Sequence, residues 1–243
     1  MLLVQNVNIK IESNFKLYEE TFKSIRFVLR YMKNDYNFIA PYYDLLVSIV
    51  FGQSVFHAQI ECFECLPKKG HVLFIGGGSG KALKLIVDKR PELKITYLER
   101  SKKMISLCQK RIGNNPNVNY STTELTNLAT DHYDAILSLF FFDIFEQSEQ
   151  ERLFKLIDDK LKVGGVWLIS DFLPPKKWQH KAIETLMFMF LKLTTSIASK
   201  QILHHHKLSK SPYYECIKEK LFYNQFIFAA IYCKKRSKNK VHK

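Results

Sequence analysis

The sequence lacks long apolar runs and an even set of cysteines, and both absences narrow the class of protein. Its longest apolar segments, residues 137–142 and 226–233, are far shorter than the ~20 residues that cross a bilayer, so we expect no transmembrane helix. The first residues turn polar too early for the apolar core of a secretory signal. The five cysteines are scattered and odd in number, which does not fit a disulfide framework. We therefore expect a cytoplasmic protein.

Metal-ligating patterns are also scarce. Cys62 and Cys65 form a C-x-x-C pair, but zinc needs about four ligands and no second pair lies at a usable spacing. The histidines at 204–206 are consecutive, so on a helix their side chains point in different directions. We expect no metal site.

Arginine is scarce although the chain is basic. The net charge is +14, yet only seven of the 37 basic residues are arginine. Arginine is the side chain preferred for bidentate contacts with phosphates and bases, so its scarcity weakens the case for a nucleic-acid partner. Six of the positive charges lie in residues 234–243, a tail with too little apolar content to fold. Nucleic acid and peripheral contact with an acidic membrane stay open as partners, and the composition favours neither.

Glycine is rare as well, with nine in the chain, but a cluster of glycines follows the apolar segment 71–75. Its members are Gly76, Gly77, Gly78 and Gly80. Glycine permits a sharp turn and brings backbone N–H groups against a ligand. The dinucleotide fingerprint G-x-G-x-x-G would need glycine at Lys81, and the phosphate loop fails because Ile75 and Ala82 stand at required positions. The cluster predicts a nucleotide-like ligand other than NAD or a nucleoside triphosphate.

Strands and helices alternate along the middle of the chain. We predict strands at 71–75, 94–98, 117–121, 133–140 and 165–170 and helices at 81–90, 102–112 and 149–161. This alternation predicts an α/β protein whose parallel sheet has helices on both faces. Ser148 and Glu151 match a capping box at one helix start, and residues 162–165 supply its glycine stop. Two β-rich runs, 214–222 and 226–233, are close enough to pair antiparallel.

The length and the 47% hydrophobic content suit one domain with additions. We assign it to residues 32–233, with helical lid elements at about 36–66 and 177–198. Residues 1–31 form an N-terminal extension that we expect to be dispensable, and residues 234–243 a disordered basic tail. The oligomeric state is not predicted.

Glu99 narrows the ligand further, because it closes the second strand. A carboxylate there can accept hydrogen bonds from both hydroxyls of a ribose, which indicates a nucleoside derivative. Together, V-L-x-I-G-x-G-x-G, this acidic residue and L-K-x-G-G-x-W-L-I-S-D-F resemble the class I S-adenosylmethionine-dependent methyltransferases over about residues 40–234. Other segments resemble small bacterial members near the quinone-biosynthesis methyltransferases. The resemblance implies a Rossmann-like sheet, mostly parallel with a C-terminal antiparallel strand.

The resemblance also implies the residues that bind S-adenosylmethionine. The glycine cluster would line the methionine part and Glu99 would hold the ribose, with further contacts from Arg100, Ser101, Met104, Glu124, Leu125 and Leu139. An N-cap and a core methionine explain Ser101 and Met104 equally well. Phe74 departs from the family, many of whose members have an acidic residue there.

The acceptor side is predicted at the carboxyl end of the fourth strand. Asp143 lies just beyond that end, where it could contact substrate or take a proton from a hydroxyl, and Asp171 and His180 are weaker candidates. The resemblance adds Tyr43, Phe140 and Trp178 to the substrate side. The aromatic run at 140–145 and the apolar segment around 187–190 suggest a small, lipophilic acceptor, although core packing explains them almost as well.

Three alternatives stay open. An aminopropyltransferase of the spermidine synthase kind has a similar glycine loop, but it needs acidic residues where residues 138–142 are mostly apolar. A nucleic-acid methyltransferase would explain the positive charge, but the proline-aromatic tetrad typical of base-modifying relatives is missing. A non-catalytic partner protein with this fold is the third, and the intact glycine cluster argues against it.

Overall fold

The computed structural model describes residues 47–48, 50–61, 63–128, 133–185, 208 and 210–235. Several predictions lie outside these residues: the extension 1–31, Tyr43, Cys62, the histidines 204–206, most of the second lid element and most of the basic tail.

A single mixed sheet of seven strands organises the described residues. The strands are β1 (Gly70–Ile75), β2 (Leu93–Leu98), β3 (Val118–Ser121), β4 (Tyr133–Leu139), β5 (Leu161–Phe172), β6 (Tyr214–Phe222) and β7 (Ile227–Lys234). Their order is β3-β2-β1-β4-β5-β7-β6. The first five strands run parallel, and β7 lies antiparallel to both β5 and β6. The predicted fold class is confirmed, and the last strand extends one residue past the predicted boundary.

Four α-helices connect or precede the strands in the described residues: α1 (Ser54–Ile60), α2 (Lys81–Lys89), α3 (Lys102–Ile112) and α4 (Gln147–Lys160). Residues 178–185 are also helical. The predicted capping box is wrong, because α4 begins earlier and places Ser148 inside its first turn after the N-cap Glu146. The helix also ends before the predicted glycine stop. There Lys234 Nζ donates to the carbonyls of Asp158 and Leu161 at 2.5 and 3.2 Å, satisfying acceptors that a helix end leaves open.

Alternating side chains of the central strands build two cores. Val72, Phe74 and Leu137 point to the face covered by α1 and α2. Leu73 and Ile136 point to the opposite face, which α4 covers. The period of two follows from strand geometry, and it explains why the parallel strands are apolar throughout.

The strand order places a crevice between β1 and β4. From β1 the chain proceeds to β2 and β3 on one side, then returns to β4 on the other side. At such a reversal the connections diverge and leave room for a ligand at the carboxyl ends of the strands. The glycine cluster follows β1 and the aromatic run follows β4, so both lie at this end.

Candidate active site

The glycine loop after β1 is shaped by close neighbours on three of its four glycines. A Cβ on Gly76 would lie 2.8 Å from the Phe141 ring, and one on Gly77 or Gly80 would collide with Tyr97 or Cys108. Gly78 is different, because a Cβ there would meet nothing within 4 Å. Gly76, Gly78 and Gly80 all have positive φ. Side chains therefore pack closely against the loop at three of its glycines, and the space beside Gly78 is open.

Glu99 is held by the same loop. Its Oε2 accepts from the Gly78 N–H at 3.1 Å, and its Oε1 accepts from the Ser101 N–H at 2.9 Å. Burial raises the pKa of Glu99, and the backbone N–H groups of Ser101, Gly78 and Arg100 oppose that shift. A carboxylate offers about four lone-pair positions, so these contacts leave capacity for hydroxyl donors.

Tyr97, which sequence analysis missed, fixes the other end of the Gly78 residue. Its hydroxyl donates to the Gly78 carbonyl at 2.8 Å, and its side chain is fully buried. Its ring packs edge-on against Phe74, with 5.5 Å between centroids. Phe74 thus supports the ring that holds the loop. The sequence signal that could have identified Tyr97 is its position in β2, two residues before Glu99.

Arg111 is a second anchor that sequence analysis missed. From α3 its Nη1 donates to the Ser79 carbonyl at 2.6 Å and to the Ser79 hydroxyl at 2.7 Å. Side chains from β2 and α3 therefore hold two consecutive carbonyls of the loop. The spacing of more than thirty residues to Ser79 left no local sequence signal.

The remaining predicted cofactor residues lie at or shortly after the carboxyl ends of the strands β2, β3 and β4. Ser101 caps α3 by accepting from the Met104 N–H at 3.2 Å, and Met104 is buried. Both structural interpretations of these two residues are therefore realised. Arg100 and Glu124 are exposed, whereas Leu125 and Leu139 are buried. Leu125 begins a short turn after β3, beside the carboxyl end of β2.

The loop after β4 is rigidly held on the opposite side of the crevice. Phe140 has a φ of +55°, and its N–H donates to the Ser170 carbonyl at 2.7 Å. Asp171 accepts from the Phe142 N–H at 3.1 Å. Gln150 of α4 donates to the carbonyls of Phe142 and Phe145 at 3.1 and 2.9 Å. These contacts set the position of the aromatic run, whose Phe141 faces Gly76.

Asp143 and Asp171 form a buried carboxyl pair beneath this loop. Burial raises the pKa of Asp143 well above its ordinary value, and the neighbouring Asp171 charge raises it further. Burial raises the pKa of Asp171 to about 7, although backbone N–H groups including those of Phe172 and Phe142 donate to it. Asp143 Oδ1 has no hydrogen-bond partner in the described part of the chain. A carboxyl that retains its proton cannot accept another, so this geometry gives little support to Asp143 as a base.

Aromatic rings continue the site from the β4 loop towards the residues after β5. We call this group the aromatic cluster, and it consists of Phe51, Phe140, Phe172, His180, Tyr223 and Phe226. Phe172 lies within 5.4 Å, centroid to centroid, of Phe51, Phe140 and Phe226. His180 stacks on Phe226 at 4.8 Å. Trp178 is 77% exposed and is not brought into this cluster.

The described residues contain neither a group of metal ligands nor a membrane-spanning helix. No group of three or more His, Cys, Asp or Glu side chains is placed to hold a metal ion among them. Within the same residues, no helix is long and apolar enough to cross a membrane.

The arrangement of strands and helices is shared with solved structures of known proteins. The fold matches solved structures of Rossmann-like methyltransferases. The DhpI complex with S-adenosylhomocysteine (SAH) has a TM-score of 0.59 at 15% identity, over 88% of this chain and 98% of that one. The 1,6-didemethyltoxoflavin-N1-methyltransferase of Burkholderia thailandensis, with its substrate and SAH bound, has a TM-score of 0.58 at 11% identity, over 82% and 86% of the two chains.

Sequence comparison finds similarity to methyltransferases over part of the chain. Residues 72–165 match the family described as methyltransferase domain. A demethylmenaquinone methyltransferase of Thermotoga maritima is 32% identical over 143 residues, which are 56% of this chain and 59% of that protein. A malonyl-[acyl-carrier protein] O-methyltransferase of Ilyobacter polytropus is 29% identical over 116 residues, which are 47% and 42% of the two chains. The chain spans about half the length of these curated relatives. Over these residues the chain is similar to S-adenosylmethionine-dependent methyltransferases.

Proposed function

We propose that the protein is an S-adenosylmethionine-dependent methyltransferase that acts on a small-molecule acceptor. The observation that carries this proposal is the contact between Glu99 and Gly78, which joins the predicted ribose-binding carboxylate to the open point of the glycine loop. The aminopropyltransferase alternative gains no support from the relatives, which are methyltransferases, and the nucleic-acid alternative gains none because the two relatives named above are described as methyltransferases of malonyl-[acyl-carrier protein] and demethylmenaquinone.

The residues present fit the cofactor. Glu99 would hold the ribose hydroxyls with the lone pairs that its backbone contacts leave available. The backbone around Gly78 would face the methionine part, since no side chain fills the space beside it. When bound, S-adenosylmethionine supplies an activated methyl group on a sulfonium. Tyr97 and Arg111 would keep the loop in place during binding, because they hold its carbonyls.

The chain's contribution to the reaction would be alignment and exclusion of water. Phe141 lies beside Gly76 of the glycine loop, and its neighbour Phe140 belongs to the aromatic cluster, so these two side chains would border both ligands. Apolar walls remove water that competes with the acceptor, and fixed walls limit its orientation. We propose a lipophilic acceptor because the aromatic cluster dominates this side of the crevice. Asp143 would have a structural role in the loop after β4, which would lie between the two ligands.

We further propose a reducing, cytoplasmic location. The support is that four cysteines of the described residues are free thiols: Cys65, Cys108, Cys216 and Cys233. Free thiols of this number suit a compartment in which disulfides do not persist.

Calorimetric titration with SAH tests the cofactor assignment. We expect saturable binding of SAH that competes with S-adenosylmethionine and exceeds binding of decarboxylated S-adenosylmethionine. No binding at millimolar SAH, or tighter binding of the decarboxylated form, would contradict it. Incubation with methyl-labelled S-adenosylmethionine and a lipid or quinone extract, followed by mass spectrometry, tests the acceptor class. Label confined to water-soluble products would exclude a lipophilic acceptor.

A further inference from the structure

His180 is a buried polar side chain to which the proposed reaction gives no task. It lies in the helical residues 178–185 after β5 and is 2% exposed. Neither of its ring nitrogens has a hydrogen-bond partner in the residues that the structure describes. A buried polar group without a partner costs about 1–3 kcal/mol, so such groups are uncommon unless a ligand supplies the partner.

The position of His180 connects it to the active-site crevice. Its ring stacks on Phe226 with an interplanar angle of 19°, and it lies 6.3 Å from the Tyr223 ring. Phe226 contacts Phe172, and Phe172 contacts Phe140 with 5.1 Å between centroids. Phe140 is the residue that directly follows β4 at the crevice. The rings of the aromatic cluster, most of them buried, therefore form a continuous series of contacts from Phe140 at the crevice to the imidazole.

We infer that His180 hydrogen-bonds a polar group of the acceptor, and that this acceptor is a planar aromatic molecule carrying a hydroxyl or a carbonyl. This inference rests on the proposed function, because it assigns the cluster to the second substrate. The flat faces of aromatic rings suit a planar apolar body, and one precisely directed polar contact is how apolar pockets fix orientation.

The ionisation of His180 supports a neutral ligand. Burial lowers the pKa of its imidazole, and the charge of Lys177 lowers it further. The ring is therefore neutral at physiological pH, with one nitrogen that donates and one that accepts. It can accept from a hydroxyl or donate to a carbonyl. A metal ion explains the histidine less well, because the described residues hold no group of metal ligands.

The test compares two probes of similar size in the presence of saturating SAH. 1-Naphthol carries a hydroxyl, and 1-methylnaphthalene carries a methyl group in its place. One hydrogen bond contributes about 1 kcal/mol, so we expect the wild-type protein to bind 1-naphthol about fivefold more tightly. The H180F variant keeps an aromatic ring and loses both nitrogens, so we expect it to bind the two probes equally. Its affinity for 1-methylnaphthalene should stay unchanged.

A matched control is Lys181→Gln, an exposed position on the same helical segment, which should retain the preference for 1-naphthol. H180L, also apolar, gives the same comparison should H180F fail to fold. An undiminished preference in these His180 variants overturns the inference, and so does failure of 1-naphthol to bind wild-type protein that binds SAH. SAH is titrated first without a probe, so a defect in the proposed cofactor site is recognised separately.

Discussion

The two sides of the crevice differ in how their polar atoms are satisfied. On the β1–β2 side, the N–H of Gly76 donates to the Leu98 carbonyl, and the N–H and carbonyl of Gly78 are bound by Glu99 and Tyr97. On the β4–β5 side, Asp143 Oδ1, Ser170 Oγ and both nitrogens of His180 are buried without partners in the described residues.

We call the β1–β2 side of the crevice the preformed half, because its polar atoms are already hydrogen-bonded, and the β4–β5 side the ligand-dependent half. A loop whose backbone is already hydrogen-bonded loses little conformational freedom on binding, which favours tight binding of one constant ligand. Unpartnered polar atoms among aromatic rings instead favour whichever ligand satisfies them, because the unsatisfied state is costly. We therefore expect substitutions on the first side to affect cofactor binding, and substitutions on the second to affect acceptor choice or stability.

Removing the Glu99 carboxylate is the strongest way to break the preformed half. We expect Glu99→Ala to weaken SAH binding at least about 100-fold, since two hydrogen bonds to a charged group each contribute about 1.5–3 kcal/mol. Calorimetry measures the affinity. Glu92→Ala is a matched control, because Glu92 is exposed at the opposite end of β2. A loss below about fivefold in Glu99→Ala would remove Glu99 from the ribose site.

Close packing behind the glycine loop is tested by two glycines with nearly the same positive φ. Gly80 and Gly164 have φ of +78° and +80°, but of these two only a Cβ on Gly80 would meet another residue, Cys108. Gly80→Ala therefore adds overpacking, about 1–3 kcal/mol, to the strain of an alanine at positive φ. We expect it to lower the free energy of unfolding about 2 kcal/mol more than Gly164→Ala does. Urea titration measures both, and equal losses would show that the loop can shift away from Cys108.

The Tyr97 hydroxyl is a finer probe of the same half. Tyr97→Phe keeps the ring against Phe74 but leaves the Gly78 carbonyl without its donor. We expect SAH affinity to fall about three- to tenfold, equivalent to one neutral hydrogen bond. Tyr232→Phe is the control, because the Tyr232 hydroxyl is buried in β7 and has no partner in the described residues. Unchanged affinity in Tyr97→Phe would mean that the hydroxyl does not position the loop.

Sequence analysis predicted the preformed half better than the other half, for a physical reason. The glycine loop and Glu99 lie at strand ends whose positions follow from hydrophobic periodicity, and the structure brings them into contact. The hydrogen bond from the Phe142 N–H to Asp171 and the stacking of His180 on Phe226 join residues that are far apart in the sequence, and no local pattern encodes such contacts. The prediction of a capping box at Ser148 was wrong because α4 begins earlier, at Gln147. In this position Gln150 donates to the Phe142 carbonyl of the β4 loop, a contact that the local sequence does not reveal.

The buried carboxyl pair gives the smallest effect and tests the ligand-dependent half through pH. A carboxyl whose folded-state pKa is raised binds a proton that the unfolded chain releases, so its contribution to stability falls as pH rises. The pKa of Asp171 near 7 and the raised pKa of Asp143 predict that wild-type stability declines from about pH 4 to beyond pH 7. We expect Asp143→Asn to reduce this slope and to be about 0.5–1 kcal/mol more stable than wild type at pH 8.

The contribution of Asp134 to stability changes with pH in the opposite direction, because its pKa is lowered by folding and those of Asp143 and Asp171 are raised. Burial alone would raise its pKa, but Lys162 and the His71 N–H bind the carboxylate and lower the pKa overall. Its contribution to stability is therefore present above about pH 4 and is lost as pH falls through the lowered folded-state pKa. Asp134→Asn should destabilise the protein at pH 8 and approach wild-type stability in acid. Urea titrations at pH 3, 5 and 8 measure both variants. An Asp134→Asn loss that is as large at pH 3 as at pH 8 would contradict the lowered pKa of Asp134. A slope between pH 5 and 8 that is the same in Asp143→Asn as in the wild type would show that the Asp143–Asp171 pair carries no buried proton.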